Sequence, residues 1–205
     1  MKTPIRTLAG VLLALATALP AAAWAQSPAA VVRLRGTVQS VGPSSMVVRE
    51  HSGESIELAL TDHLVVSEVY PIALADIGPN SFIGTAALPQ PDGTLRAIAV
   101  TVFPESSRGV GEGHRPFDLQ PQSTMTNATV ADVAAAPVGR RLQLKYKDGE
   151  KTLVVPPEAP VVTFRPADRS LLVPGASVSL SAQEIAGRPT ALRVNAGRNG
   201  FVLPY

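Results

Sequence analysis

The 205 residues contain no cysteine. That excludes disulfides, thiol nucleophiles and zinc–thiolate sites. Tryptophan occurs once, at Trp24, and histidine three times, at His51, His63 and His114. No two histidines stand at the spacing of a metal-ligand pair, and His51 and His63 read as solvated turn or loop residues. Five Phe and three Tyr are few for a nucleic-acid or sugar platform, and they do not alternate with basic residues. A Gly-x-Ser-x-Gly elbow is missing, and no serine is visibly paired with a base. Glu54 and Glu57 are three apart, so on a strand they face opposite sides and form no catalytic dyad. The run "GVGEG" at 109–113 is followed by His114-Arg115-Pro116 instead of the Gly-Lys-Ser/Thr of a phosphate loop. With no nucleophile–base or metal constellation to assemble, an enzyme ranks behind a binding or adaptor protein.

What the sequence does contain begins with a targeting signal. Lys2 and Arg6 precede the apolar run "LAGVLLALATALPAAA" at 8–23, and Ala23-Trp24-Ala25 supplies small residues at a cleavage point. This is the layout of a secretory signal peptide cleaved after Ala25. As a membrane anchor the run is short for a hydrocarbon core of about 30 Å, and Pro20 interrupts it. No cysteine follows it for lipid attachment. The alanine-rich signal points to a bacterial periplasm, and no later run is apolar enough for a transmembrane helix. Loss of Lys2 and Arg6 brings Lys+Arg from 18 to 16, equal to the 16 Asp+Glu. A neutral exported chain is a poor nucleic-acid binder. Residues 27–103 carry 4 basic and 7 acidic groups, and residues 128–205 carry 10 and 6. The halves can attract each other, the second can face an anionic surface, or the charges can be ordinary solvated faces.

A repeat runs through the chain. "GTVQSV" at 36–41 is echoed by "ATVADV" at 128–133, and "MVVREHSGE" at 46–54 by "LQLKYKDGE" at 142–150. Residues 71–87 lie over 166–182, and "DGTLRAIAV" at 92–100 lies over "AGRPTALRV" at 186–194. Four matches in one order make a tandem duplication the economical reading.

Each copy reads as β. Alternating runs at 31–41, 46–51 and 54–60 are separated by Gly42-Pro43 and Ser52-Gly53 turns. "PIALADIG" at 71–78 is the helix-like piece, one or two turns ended by Gly78-Pro79. Asp92-Gly93 marks a hairpin between 81–88 and 95–103. In its second strand Ile98, Val100 and Val102 are expected on one face, and Ala97, Ala99 and Thr101 on the other. The expected fold is all-β: two tandem five-stranded OB-like Greek-key barrels, each with a short helical insertion. An open sandwich is the alternative. The expected units are a signal peptide at 1–25, one barrel at 31–104, a connector at 105–127 and a second barrel at 128–200.

The pattern "GTV-x-x-V", a turn, paired valines, "SGE/DGE", then "DGT-L-x-A-x-x-V" resembles a small bacterial β-barrel family, domain of unknown function 5666. The join "GEGHRPFDLQPQSTMTNATV" is similar to that of a two-copy exported subgroup. The resemblance covers residues 31 to about 194. It implies OB-like barrels and an exported location, and it brings no catalytic or ligand residues with it.

The connector "RGVGEGHRPFDLQPQSTMTN" at 108–127 is where the sequence leaves two readings open. In one it is docked. Its glycines let the chain bend and Pro116 and Pro121 restrict it, while Phe117 and Leu119 point the same way into a groove between the barrels. In the other, Glu112, His114 and Asp118 offer ligands to a divalent cation, with Arg115 beside them for an anion. The first reading makes Arg115, Phe117 and Leu119 the binding residues, with no cofactor, and the partner an envelope protein or a small molecule. The second makes the protein a metal-handling accessory.

Overall fold

The computed structural model describes residues 30–205, and the signal-peptide reading of residues 1–25 lies outside them. With 60% strand and 5% helix the chain is all-β. The strands are β1 (Val32–Val41), β2 (Ser45–Glu50), β3 (Ser55–Pro71), β4 (Phe82–Pro89), β5 (Leu95–Val102), β6 (Gly113–Pro116), β7 (Thr124–Ala135), β8 (Arg140–Tyr146), β9 (Gly149–Val155), β10 (Val161–Ala167), β11 (Ser177–Ile185) and β12 (Arg188–Gly197). The helix-like piece at 71–78 is a single 3-10 turn, Leu74–Asp76, where the Asp76 carboxylate accepts from the Ala73 amide at 2.9 Å. The Asp92-Gly93 hairpin joins β4 and β5 as expected. Asp92 Oδ1 accepts from the amide and hydroxyl of Thr94, which hold its carboxyl below the ordinary range.

Strand alternation decides what is buried. Met46 and Val48 of β2, Leu58 and Leu60 of β3, Leu142 and Leu144 of β8, and Leu153 and Val155 of β9 all point inward. Each such side chain contributes about 1.5–3 kcal/mol by leaving water. They fall into two separate cores. One is built on Val38, Met46, Leu58, Val178, Leu180 and Val194. The other is built on Ile83, Val100, Val130, Leu142, Leu144 and Leu153. Ile83 and Val178, which the expected repeat sets against each other, are both buried, one in each core.

The two cores do not follow the two sequence segments. β1, β2, β3, β12 and β11 pair in a closed circuit, with β12 parallel to β3 and every other neighbour antiparallel. β7, β4, β5, β9 and β8 pair in a second closed circuit, with β5 parallel to β9. The first barrel therefore takes three strands from the first half of the chain and two from the second, and the other circuit the reverse. This corrects the expectation of one barrel confined to 31–104 and another to 128–200. The physical reason is β3. It is one continuous strand from Ser55 to Pro71, displaced at Thr61–Leu64 where four residues stand against the single Leu192 of β12, and it delivers the following hairpin to the far side. β10 carries the chain back. β10 lies in neither circuit and bridges them: it pairs antiparallel with β3 from Val66↔Ala167 to Pro71↔Val162 and parallel with β5 from Val161 to Thr163.

One side-chain face also differs from expectation. A bulge falls at Ile98: Ala86 faces Ala99 and Ala87 faces Ala97. The extra residue shifts the alternation, so Ala97 joins Val100 in the core and Ile98 is only half-buried. A bulge at Leu192 does the same in β12, and bulges at Gln39 and Ala131 interrupt β1 and β7.

The exchange has a direct test. A chain cut by protease between Arg108 and Glu112 should migrate as one particle on size-exclusion chromatography in native buffer and come apart only in denaturant. Two folded fragments eluting separately would contradict the interleaved pairing.

Candidate functional site

A cavity of about 210 Å³ lies where the two circuits meet. Its floor is the shared ladder, represented by Val69, Val162 and Phe164. One wall is the outer face of the first barrel. Arg35 of β1, Ser179 of β11 and Asn195 of β12 stand side by side in register, with Arg33 two residues from Arg35 on the same face. The opposite wall is the outer face of the second circuit, where Asn127 of β7, Gly84 of β4 and Thr101 of β5 stand in the same register. β6 widens this wall by pairing with β7, Arg115 opposite Met125 and Gly113 opposite Asn127. Strand geometry puts directly opposed residues on one face, so Arg115 joins Met125 and Asn127 at the cavity.

Aromatic rings close the ends. Phe103 packs edge-on to Phe164 at 5.7 Å and against Phe82 at 5.4 Å. Phe117 lies under Arg35, whose guanidinium carbon is 5.0 Å from the ring centre, and meets Tyr205 edge to face. Burial holds the Tyr205 hydroxyl well above its ordinary value. A side chain on Gly84 would meet Asn127 Oδ1 and the Phe103 ring, each 2.8 Å from its Cβ. Only glycine lets both cross that point.

Electrostatically the cavity is one-sided. Arg33, Arg35 and Arg115 line it, and among the described residues no Asp or Glu side chain does. Arg35 is bonded to Asp118 at 2.8 Å, which holds that exposed carboxyl below its usual range. Arg115 gives one guanidinium nitrogen to the Gly111 carbonyl at 2.9 Å. Burial, and then the charge of Arg33, lower its pKa. Among the described residues neither Arg33 nor Arg115 has a carboxylate partner. Asn127 is 6% exposed and donates its Nδ2 to the Val110 carbonyl, while its Oδ1 accepts nothing.

The connector residues divide. Arg115 and Phe117 line the cavity, whereas Leu119 is half-buried outside its lining. Phe117 is half-buried and packs on Arg35 and Tyr205, so it sits at a rim. The structure does not bring Glu112, His114 and Asp118 together. Glu112 accepts from the Lys147 amide at 3.0 Å, His114 pairs with the Thr126 hydroxyl at 2.8 Å and stacks on Tyr146, and Asp118 takes Arg35. Among the described residues no three His, Cys, Asp or Glu side chains gather into a potential metal-binding group. The segment runs as a third neighbour of β7, after β4 and β8, for Gly113–Pro116, which spaces its polar side chains along an edge.

Sequence reasoning missed Arg33, Arg35, Asn127 and Phe103. Arg33 and Arg35 carried a usable signal: two cations two apart on a strand, turned to the face opposite Leu34 and Gly36. Asn127, Phe103 and the C-terminal Tyr205 reach the cavity only through long-range pairing. No family model, curated protein or solved structure matches this chain. Among the described residues no helix is long and apolar enough to cross a membrane.

Two measurements follow from these positions. Phe117→Ala should cost about 1–2 kcal/mol in denaturant unfolding, below the 3–5 typical of a fully buried ring, because Phe117 lies at a rim. His114 should make stability pH-dependent. Burial, then the nearby Lys151 charge, lower its pKa. The unfolded chain thus binds more protons as pH drops below the ordinary value of about 6.5. Its contribution is full above that value and lost on acidification, and His114→Gln should flatten this part of the stability–pH curve.

Proposed function

We propose that the protein is a binding protein of the bacterial periplasm whose ligand site is the cavity between the two barrels. The observation that carries this is the cavity's construction. An apolar floor is shared by both barrels, and convergent polar groups stand on facing walls, two of them arginines without a carboxylate. A concave apolar site with a few placed polar groups is the usual form of a small-molecule site.

The architecture fits two OB-like barrels grown from one duplicated unit. Bulges at Gln39 and Ala131, and at Ile98 and Leu192, fall at matching places in the repeat. The pairing Gly36↔Val178 has its counterpart in Ala128↔Ile83. Short 3-10 turns at Leu74–Asp76 and Arg169–Leu171 occupy the same place before the fourth strand of each copy. These features support the resemblance to the 5666 domain family, with the hairpins exchanged between copies. Duplication also explains why the site lies on the join: like faces of the two copies meet there.

Export with cleavage after Ala25 removes Trp24. Periplasmic product should therefore start at Gln26 and show no tryptophan emission, and a product that keeps the emission would reject this cleavage site. For the binding function the test is native mass spectrometry of protein purified from the periplasm. The wild type should carry a small molecule that Ser179→Trp, which fills the cavity from the β11 wall, no longer retains. A bound mass unaffected by Ser179→Trp would place the site elsewhere. Capture of an envelope protein independent of that substitution would favour an adaptor surface.

A further inference from the structure

We infer that the ligand is a small aromatic acid, its carboxylate held between Arg33 and Arg115 and its ring laid on Phe103 and Phe164. This rests on the cavity being the binding site and adds the class of molecule it takes.

Charge sets the head group. Three guanidinium groups border one cavity, and among the described residues the only carboxylate side chain bonded to any of them is Asp118, which is 73% exposed and serves Arg35. Arg35 is further committed to the face of Phe117. Arg33 and Arg115 come from different barrels, β1 and β6, and the charge of one acts on the other. Two like charges drawn together at a partly dry site are stabilised by an anion between them. The planar fork of arginine matches a carboxylate in two-pronged fashion.

Size and shape set the body. An apolar cavity of about 150 Å³ is enough to hold benzene. The present 210 Å³ takes a single ring with its carboxylate, and a long acyl chain would exceed it. Phe103 and Phe164 meet edge to face at 5.7 Å, and a third ring extends such an arrangement.

The test is calorimetric titration of the mature full-length chain with benzoate, phenylphosphonate, benzyl alcohol, acetate and inorganic phosphate. Benzoate should bind at least tenfold more tightly than benzyl alcohol or acetate. Arg33→Gln with Arg115→Gln should weaken benzoate at least tenfold, Arg115→Lys should keep part of the affinity, and Arg96→Gln, on the surface beside Glu158, should change nothing. Unfolding midpoints of the variants establish that they fold. Benzyl alcohol binding as well as benzoate, and lost in Ser179→Trp, would overturn the acid assignment while leaving the cavity as the site. Phenylphosphonate or inorganic phosphate binding more tightly than benzoate would replace the carboxylate by a phosphate-type head and likewise refute the assignment. The absence of binding by every probe, with no molecule retained on purification, would remove both the assignment and the cavity reading.

Discussion

The ladder between β3 and β10 is the constraint on which the rest of the molecule depends. Its six residue pairs join the first barrel to the strands of the second circuit, and each strand has a parallel partner on its other edge. β3 pairs with β12 from Val65 to Val69, and β10 pairs with β5 from Val161 to Thr163. A chain that turned back at the end of the first barrel would close that barrel with its own hairpin. β3 does not turn, so its hairpin closes the other one. Stability becomes collective as a result. Removing β11 and β12 opens the first barrel and also strips β3 of its partner, exposing strand edges that a closed sheet has hidden. Buried charge reinforces the join. Glu68 of β3, 7% exposed, is held by Arg198 after β12 and Arg165 of β10, which keep its carboxyl below the ordinary range.

Much of the local structure was legible because it depends on near neighbours. Alternation located β1, β2 and the start of β3, Asp92-Gly93 located a hairpin, and Gly78-Pro79 ended the short turn. The matches between the halves set Ile83 against Val178, and both are buried. What was not legible is which hairpin closes which barrel. An exchanged and an unexchanged pairing of two similar halves bury the same residues and form the same kinds of bonds, so pattern alone does not separate them. The decision lies in a small local matter, whether the chain bends between Leu60 and Val66, and those residues carry no glycine or proline to force it. The bulge at Ile98 was hidden for a similar reason, since period-two counting assumes an uninterrupted strand.

The site was less legible than the fold. Arg115 and Phe117 were identified from the connector alone, through an apolar anchor beside a cation. Their partners lie in β1, β7 and the C-terminal segment, far away in sequence. Glu112, His114 and Asp118 were close in sequence and diverge in space because β6 is extended. Side chains one residue apart on a strand point to opposite faces, and those two apart stand roughly 7 Å apart along it. Proximity in the sequence thus argues for a shared ligand only where the chain is a turn or a helix.

The walls of the cavity differ in charge. Arg33 and Arg35 of β1 stand on one wall, and Met125 and Asn127 of β7, apolar and neutral, stand on the facing one, so positive charge comes from β1 and from the added strand β6. The strand ends differ as well. Phe103 follows β5 and fills its corner with a ring, whereas β12 ends at Gly197, whose Cβ position is occupied by the backbone of Phe201. Glycine there lets the chain double back through Asn199 and Gly200, both left-handed, and return Leu203, Pro204 and Tyr205 to the cavity wall. The cavity is therefore closed by a side chain after one strand and by a whole segment after the other. That asymmetry sets arginines and aromatic rings on different parts of its lining.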